Sequence, residues 1–234
     1  ILRPPRYPQG YSSAASEVYN RQLVYDGLSI LGKKEKKTFT PTDTQIQYDA
    51  LATALNEFVR PSDILVSDIG TCMYMTQYLK LRKGMKFILQ PLWASIGFSF
   101  PASFGAKIAS NYNRVINIIG DGAFNMTFNE LATVISKKVN MITILINNKG
   151  YTIEKYIHGP KQAYNNIPSV DYINLVKAFD PDGLNSLTFK VNTEIELNEA
   201  LKACKENHDK FILIEVMIPE FDIPEFGKKL FNVE

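Results

Sequence analysis

The chain has 234 residues, of which 45% are hydrophobic and 21% charged, and its formal net charge is +2. This composition is ordinary for a globular protein, and so small a net charge does not indicate nucleic acid or an anionic membrane as a partner. The two cysteines, Cys72 and Cys204, lie far apart without CxxC spacing, which argues against a disulfide framework or a zinc site and indicates a reducing compartment. The longest apolar runs, such as residues 141–146, have the length of a strand, so we expect no membrane span.

The first 40 residues are poorly patterned. Several prolines come first, a short helix is predicted over 17–30, and the lysine-rich run over 33–37 is typical of a solvated linker. The chain begins without Met and without the hydrophobic stretch of a signal peptide, which suggests a fragment or a processed chain. We interpret residues 1–40 as the linker or tail of a preceding domain and residues 41–234 as the main domain.

The main domain alternates between strand and helix patterns. A helix is predicted to start near 42–44, with Asp43 or Thr44 as N-cap, and to continue to Phe58. Beyond it, the patterns predict strands over 64–66, 86–89, 115–119, 141–146 and 211–217, and helices over 74–79, 95–108, 127–136 and 194–205. Near-continuous apolar strands separated by helices are typical of an α/β fold, with a parallel sheet covered by helices on both faces.

Two polar turns fall at the carboxyl ends of predicted strands, where such sheets bind ligands. Gly120-Asp121-Gly122 follows one strand and Asn147-Asn148 follows the next. Magnesium is commonly held by one carboxylate, a few neutral oxygens, and phosphate or water, so Asp121 and Asn148 are candidate ligands. Gly122 and Ala123 enter the next helix with backbone N–H groups that suit a diphosphate. Either turn alone is more often an ordinary turn, but the pair at this spacing predicts a magnesium–diphosphate site.

The combined segment resembles a known cofactor motif. GDGAFNMTFN, followed downstream by NNKGYTIEKYIHGP, is similar to the magnesium–diphosphate motif of thiamine diphosphate enzymes and, among these, to the 2-oxo acid decarboxylases of the pyruvate and indolepyruvate decarboxylase family. The resemblance extends over about residues 41–230 and implies the diphosphate-binding domain of the thiamine diphosphate-binding fold, with thiamine diphosphate and Mg²⁺ as cofactors. It adds the backbone carbonyl of Gly150 as a third metal ligand. It also assigns diphosphate binding to the backbone N–H groups of Thr152 and Ile153 and to the hydroxyl of Thr71, in the turn at Gly70.

A second segment resembles the part of the family that holds the cofactor bent. In Leu92-Trp93-Ala94-Ser95-Ile96-Gly97-Phe98, the resemblance makes Ile96 the wedge between the two rings of the cofactor. The carbonyl of Ala94 is implied to accept a hydrogen bond from the 4′-amino group. Without the surrounding motif, Ile96 would be interpreted as a core residue. One departure concerns Ile69, which is apolar where family members often carry a polar side chain.

Glu154 is the side chain that we expect to act on a substrate. Beside the cofactor, it could transfer a proton or stabilise charge during loss of carbon dioxide and product release. By itself, a glutamate at this position would be interpreted as a helix-surface residue paired with Lys155 or Lys161. The YTIE context favours catalysis instead. His158 belongs to the same stretch, and we expect it to brace the loop.

The resemblance also implies what lies outside this chain. In the family, a glutamate that protonates the aminopyrimidine and an Asp–His–His cluster belong to the N-terminal domain, supplied by a partner subunit. No His-His pair occurs in this sequence, so we expect it to carry half of a site. Residues 1–40 would then be the tail of the middle domain. The implied protein is a cytoplasmic homo-oligomer, a dimer or tetramer, that acts on a small 2-oxo acid.

Three functions remain open at this point. The leading one is non-oxidative decarboxylation of a 2-oxo acid to an aldehyde and carbon dioxide, with pyruvate, phenylpyruvate and indolepyruvate all open as substrates. An acetohydroxyacid synthase-like or benzoylformate decarboxylase-like enzyme is the second, and the IEKYIHGP run argues against it. The third is a non-catalytic thiamine diphosphate sensor that regulates a partner.

Overall fold

Strands and helices alternate through residues 38–110 and 112–231, the part of the chain that the computed structural model describes. The strands are β1 (Ile64–Ser67), β2 (Lys86–Ile88), β3 (Val115–Gly120), β4 (Ile142–Asn147), β5 (Ser186–Val191) and β6 (Phe211–Met217). The helices are α1 (Tyr48–Phe58), α2 (Thr71–Thr76), α3 (Ser99–Ala109), α4 (Asp121–Phe124), α5 (Leu131–Ser136), α6 (Thr152–His158), α7 (Tyr172–Phe179), α8 (Glu194–Glu206) and α9 (Glu225–Phe231). The helix predicted over 17–30 and the linker predicted over 33–37 lie outside the described residues, and the predicted domain boundary stays a prediction.

The six strands form one parallel sheet in the order β2-β1-β3-β4-β6-β5. β3 and β4 lie at its centre, and nearly all of their residues are buried. A strand that is covered on both faces needs apolar side chains on both, which explains why these strands are continuous apolar runs in the sequence. The predicted α/β class and parallel sheet are confirmed. The five predicted strands differ from the observed ones by at most one residue at either end.

Helices cover both faces of the sheet. On one face, Ile116 and Ile118 of β3 belong to a buried cluster with apolar residues of α1 and α8. On the other face, Val115 and Ile119 belong to a second cluster with residues of α3, α5 and α7. Successive side chains of a strand point to opposite faces, so one strand contributes to both clusters. Within the described residues, none of the helices has the length and apolar character needed to cross a bilayer.

The first helix begins later than predicted. α1 starts at Tyr48, and neither Asp43 nor Thr44 caps it, so that prediction is wrong. Instead, the backbone N–H and the hydroxyl of Thr42 both donate to the carboxylate of Glu194, at 2.9 and 2.8 Å. The polar residues before α1 are therefore committed to the start of α8, a contact between distant parts of the chain that a local pattern does not reveal.

Residues 150–191 contain two helices and a strand that the patterns did not predict. These are α6, α7 and β5. β5 lies at the edge of the sheet and is buried only at its two ends, so it lacks the continuous apolar run of the central strands. α3 begins at Ser99 rather than at residue 95, because the backbone before it turns through positive φ at Ala94 and Gly97.

Candidate functional site

Three polar residues follow three adjacent strands at the centre of the sheet. Asp68 comes directly after β1, Asp121 after β3 and Asn148 after β4, and all three are buried. Because parallel strands present their carboxyl ends at the same edge of a sheet, these residues lie at one edge. The two turns that the sequence analysis singled out, at Asp121 and at Asn148, are thus brought to neighbouring strand ends.

Asp121 links the two turns through its carboxylate. Oδ1 accepts from the backbone N–H of Gly122 at 2.8 Å, and Oδ2 accepts from the backbone N–H of Gly150 at 3.0 Å. The residue is only 2% exposed. Burial raises the pKa of its carboxyl group to about 6, because the ionised form loses water; the two backbone N–H groups and the nearby Lys155 ammonium offset part of this effect. A bound cation would supply the compensation that these donors leave incomplete.

Each of the two turns has one glycine at a position where a side chain would clash. A Cβ at Gly122 would lie 2.3 Å from the ring of Tyr151, and a Cβ at Gly150 would lie 2.5 Å from the carbonyl oxygen of Asn165. Gly150 also has a φ of 133°, which L side chains rarely adopt. These glycines let the backbone of each turn approach the carboxylate closely.

The two asparagines after β4 have different tasks. The Asn147 amide donates to Glu215 at 2.7 Å, and its Oδ1 accepts from the backbone N–H of Lys149 at 3.2 Å, so Asn147 holds the turn. Asn148 is directed into the site, where its Nδ2 donates to the hydroxyl of Tyr48 at 3.3 Å. This leaves the amide oxygen of Asn148 as the atom that suits a cation. The sequence analysis did not anticipate the structural role of Asn147.

Two of the predicted diphosphate donors are engaged in local hydrogen bonds. The N–H of Gly122 is bonded to Asp121, and the N–H of Thr152 donates to the carbonyl oxygen of Gly150 at 3.1 Å. Ala123 is buried in the short helix α4, and Ile153 is half-buried in the first turn of α6. A diphosphate would therefore share or replace two backbone bonds, and the diphosphate roles of all four residues stay predictions.

Thr71 lies on the far side of the same edge. It is the first residue of α2 and follows Gly70, whose φ is 100°. Its Oγ1 accepts from the hydroxyl of Tyr48 at 2.5 Å. Tyr48 therefore contacts both Thr71 and Asn148, and the sequence analysis did not single it out.

Asp68 organises the segment that contains Ala94 and Ile96. Its Oδ1 accepts from the backbone N–H of Gly97 at 3.1 Å, and its Oδ2 accepts from that of Ser99 at 2.8 Å. Burial raises the pKa of the Asp68 carboxyl group, against the effect of these donors. Ala94 is exposed with a φ of 49°, and Ile96 is 38% exposed. Sequence reasoning missed Asp68, although its place directly after a strand is the signal that identified Asp121.

Glu154 and Lys155 point to different surroundings. The side chain of Glu154 is 45% exposed, and its carboxylate lies 3.3 Å from Nε2 of His158. Lys155 is buried and pairs with Glu220 at 2.7 Å, so it is not the partner of Glu154. Lys155 also donates to the carbonyl oxygen of Lys149 at 3.4 Å, which braces the turn that contains Gly150.

The residues at this edge fit a magnesium ion that shares its ligands with a phosphate group. Among residues 38–110 and 112–231, no cluster of three His, Cys, Asp or Glu side chains is arranged to hold a metal. The site instead offers one buried carboxylate, one amide oxygen and a backbone carbonyl. These are hard oxygen donors, and Mg²⁺ typically completes such a partial set with phosphate oxygens and water.

Comparison with known proteins agrees with this geometry. Residues 68–216 match the family described as thiamine pyrophosphate enzyme, C-terminal TPP binding domain. The chain is 35% identical over 184 residues to an alpha-keto-acid decarboxylase of Mycobacterium tuberculosis, and 35% identical over 190 residues to that of Mycobacterium leprae. Each alignment includes 79% of this chain and 32% of the relative, so the chain spans about a third of the length of these curated relatives.

A solved structure shares the fold. The thiamine diphosphate-dependent 4-hydroxybenzoylformate decarboxylase of Rhodococcus jostii superposes with a TM-score of 0.68 and 21% sequence identity, over 80% of this chain and 35% of that one. At this identity the likeness establishes the fold alone.

We predict that Asp68→Ala lowers the free energy of unfolding by about 2 kcal/mol, because the buried N–H groups of Gly97 and Ser99 lose their acceptor. Urea denaturation followed by circular dichroism measures the change. The control is Asp209→Ala, which removes an exposed carboxylate between α8 and β6. An exposed carboxylate is in contact with water in the folded and the unfolded protein, so its effect should be clearly smaller. Equal effects of the two substitutions would contradict the role of Asp68.

Proposed function

Because this chain belongs to the thiamine pyrophosphate enzymes, as their C-terminal TPP-binding domain, we propose that the sheet edge around Asp121 binds thiamine diphosphate through Mg²⁺. The observation that carries the proposal is the buried carboxylate of Asp121, held beside Asn148 by backbone donors of both turns. Burying a carboxylate without a full set of partners is unfavourable, and a divalent cation removes that cost.

The residues divide into metal ligands and diphosphate ligands. Asp121, the amide oxygen of Asn148 and the carbonyl oxygen of Gly150 hold Mg²⁺. The remaining contacts to the diphosphate come from backbone N–H groups and one hydroxyl, at Gly70, Thr71, Gly122, Ala123, Thr152 and Ile153. When bound, thiamine diphosphate supplies the carbanion and the electron sink for cleaving a bond next to a carbonyl group.

The segment before α3 positions the rest of the cofactor. Ile96 would be the apolar wedge between the two rings of the cofactor, and the carbonyl oxygen of Ala94 would accept a hydrogen bond from the 4′-amino group. The positive φ of Ala94 and the hydrogen bonds that Gly97 and Ser99 donate to Asp68 support a fixed, non-helical conformation here. Asp68 therefore acts on the cofactor through the backbone that carries Ile96.

The proposed reaction is non-oxidative decarboxylation of a 2-oxo acid to an aldehyde and carbon dioxide. The resemblance to relatives named alpha-keto-acid decarboxylase supports it. Glu154 is the catalytic residue of this chain, moving a proton during carbon dioxide loss and product release. Its place two residues after Thr152, with the side chain partly open, supports access to a substrate. The side chain of His158 lies 3.3 Å from this carboxylate, on the next turn of the helix.

Other parts of the site come from elsewhere in the assembly. Leu92 and Trp93 are 87% and 81% exposed, and Ile96 and Met126 are exposed as well. Large apolar side chains grouped at a cofactor site favour coverage by another protein surface. We propose the pyrimidine-binding N-terminal domain of a partner subunit as that surface, in a cytoplasmic homo-oligomer.

The test of the function uses the full-length protein with Mg²⁺ and thiamine diphosphate. Carbon dioxide and aldehyde are measured with pyruvate, phenylpyruvate and indolepyruvate. Equal amounts of the two products from at least one acid are expected. Carbon dioxide with a condensation product in place of aldehyde would instead favour a synthase-like enzyme. Tight cofactor binding without any turnover would contradict catalysis and favour a sensor.

Asp121→Ala is expected to abolish the Mg²⁺-dependent part of thiamine diphosphate affinity, because the carboxylate is the charged protein ligand of the metal. Isothermal titration with and without Mg²⁺ measures it. Asp180→Ala is a matched control, because Asp180 is another buried aspartate. It precedes β5 and accepts from the hydroxyl of Ser186, so it lies at the amino end of that strand, away from the carboxyl ends that carry the site. Its affinity should equal that of the wild type. An unchanged affinity in Asp121→Ala would overturn the metal assignment.

Glu154→Gln is expected to lower kcat by about 100-fold or more while sparing cofactor affinity, which is the usual scale for loss of an acid–base group. Steady-state carbon dioxide release and cofactor titration separate the two effects. Glu199→Gln, at an exposed position on α8, is the control and should retain full activity. If both variants turn over at the wild-type rate, Glu154 is a surface residue.

A further inference from the structure

Tyr48 connects the two turns that flank the strand before Asp121. It is the first residue of α1 and is 1% exposed. Its hydroxyl donates to Oγ1 of Thr71 at 2.5 Å and accepts from Nδ2 of Asn148 at 3.3 Å. Thr71 follows β1 and Asn148 follows β4, and in the sheet these strands lie on either side of β3. A single phenol hydroxyl therefore contacts residues that follow strands on either side of β3.

The directions of these two bonds decide what Thr71 and Asn148 offer to a ligand. A hydroxyl has one hydrogen, so when Thr71 accepts from Tyr48 its own hydrogen is left to point elsewhere. An Asn amide has a donating and an accepting end, so when Nδ2 of Asn148 donates to Tyr48, the oxygen is the end turned away. Thr71 thus presents a donor, which suits a phosphate oxygen, and Asn148 presents an acceptor, which suits a cation.

Tyr48 is suited to fix both groups because a phenol donates and accepts at the same time. A phenol has an ordinary pKa of about 10, so near neutral pH the hydroxyl keeps its proton and remains a donor. The residue itself is held in place, because its backbone N–H donates to Oδ2 of Asp222 at 2.8 Å. Groups behind the ligands of a metal commonly set ligand orientation and affinity in this way.

We propose that Tyr48 is a positioning residue, which orients the hydroxyl of Thr71 and the amide of Asn148 towards the magnesium–diphosphate group. This inference rests on the proposed function, since it concerns binding of that group. The inference goes beyond the proposed function, because it assigns the orientation of two ligands, which follow different strands, to one side chain that is itself not a ligand.

Tyr48→Phe is expected to weaken binding of thiamine diphosphate with Mg²⁺ by about 10- to 100-fold, the scale observed when a group behind a metal ligand is removed. The measurement is isothermal titration of the full-length protein, with circular dichroism of the cofactor-free protein to verify the fold. Tyr78→Phe is the control. Tyr78 is a part-buried tyrosine whose hydroxyl accepts from the backbone N–H of Phe226, away from the strand ends after β3 and β4, and its loss should leave affinity unchanged.

A double-variant cycle separates positioning from general destabilisation. Thr71→Val removes the hydroxyl that Tyr48 orients, so Tyr48→Phe should cost less affinity in that background than in the wild type. A loss in the double variant equal to the product of the two single losses would mean that the residues act independently, and would contradict the proposal. A mere loss of stability in Tyr48→Phe would lower the melting temperature of the cofactor-free protein without this coupling, and would also overturn it.

The outcomes also separate this inference from the proposed function. If the wild type binds thiamine diphosphate with Mg²⁺ and Tyr48→Phe binds it equally well, the proposed function stands and the role of Tyr48 is refuted. If the wild type does not bind the cofactor, the proposed function fails and the inference fails with it.

Discussion

The carboxylate of Asp121 lies where water scarcely reaches, and its two oxygens join the turns that follow neighbouring strands. Its raised pKa reflects the free energy needed to keep a charge at this place. Backbone N–H groups stabilise that charge only in part, and in the proposed site a cation would stabilise it further. The surrounding features serve this geometry: the close backbone approach at Gly122 and Gly150, and the brace that Lys155 gives to the second turn.

The sheet explains why such distant residues can cooperate. In a parallel sheet the carboxyl ends of all strands lie at one edge. Asp68, Asp121 and Asn148 therefore meet at that edge, although they come from well-separated parts of the chain. The apolar clusters on both faces fix the strands, and they fix the turns as a consequence. Exposed apolar side chains such as Trp93 belong to the segment that Asp68 holds. The proposed function assigns their coverage to a second protein surface.

Much of this arrangement was predictable from sequence, because the strongest signals are local. Buried strands are continuous apolar runs, and the GDG and NNKG turns each lie within a few residues. Contacts between distant segments were not predictable. Thr42 was interpreted as part of a helix start, but it binds Glu194, and Lys155 pairs with Glu220 rather than with Glu154. Tyr48 shows the same limit, since its neighbours in sequence do not indicate which hydroxyl or amide its phenol contacts across the fold.

The central claim is that one metal ion lies between Asp121 and Asn148 and links this chain to a diphosphate. The most direct test is anomalous diffraction from crystals of the full-length protein grown with thiamine diphosphate and Mn²⁺ in place of Mg²⁺. We expect a single peak about 2 Å from a carboxylate oxygen of Asp121 and from Oδ1 of Asn148, in contact with the diphosphate. A cofactor bound at another edge of the sheet, or a metal that does not touch these two side chains, would contradict the claim.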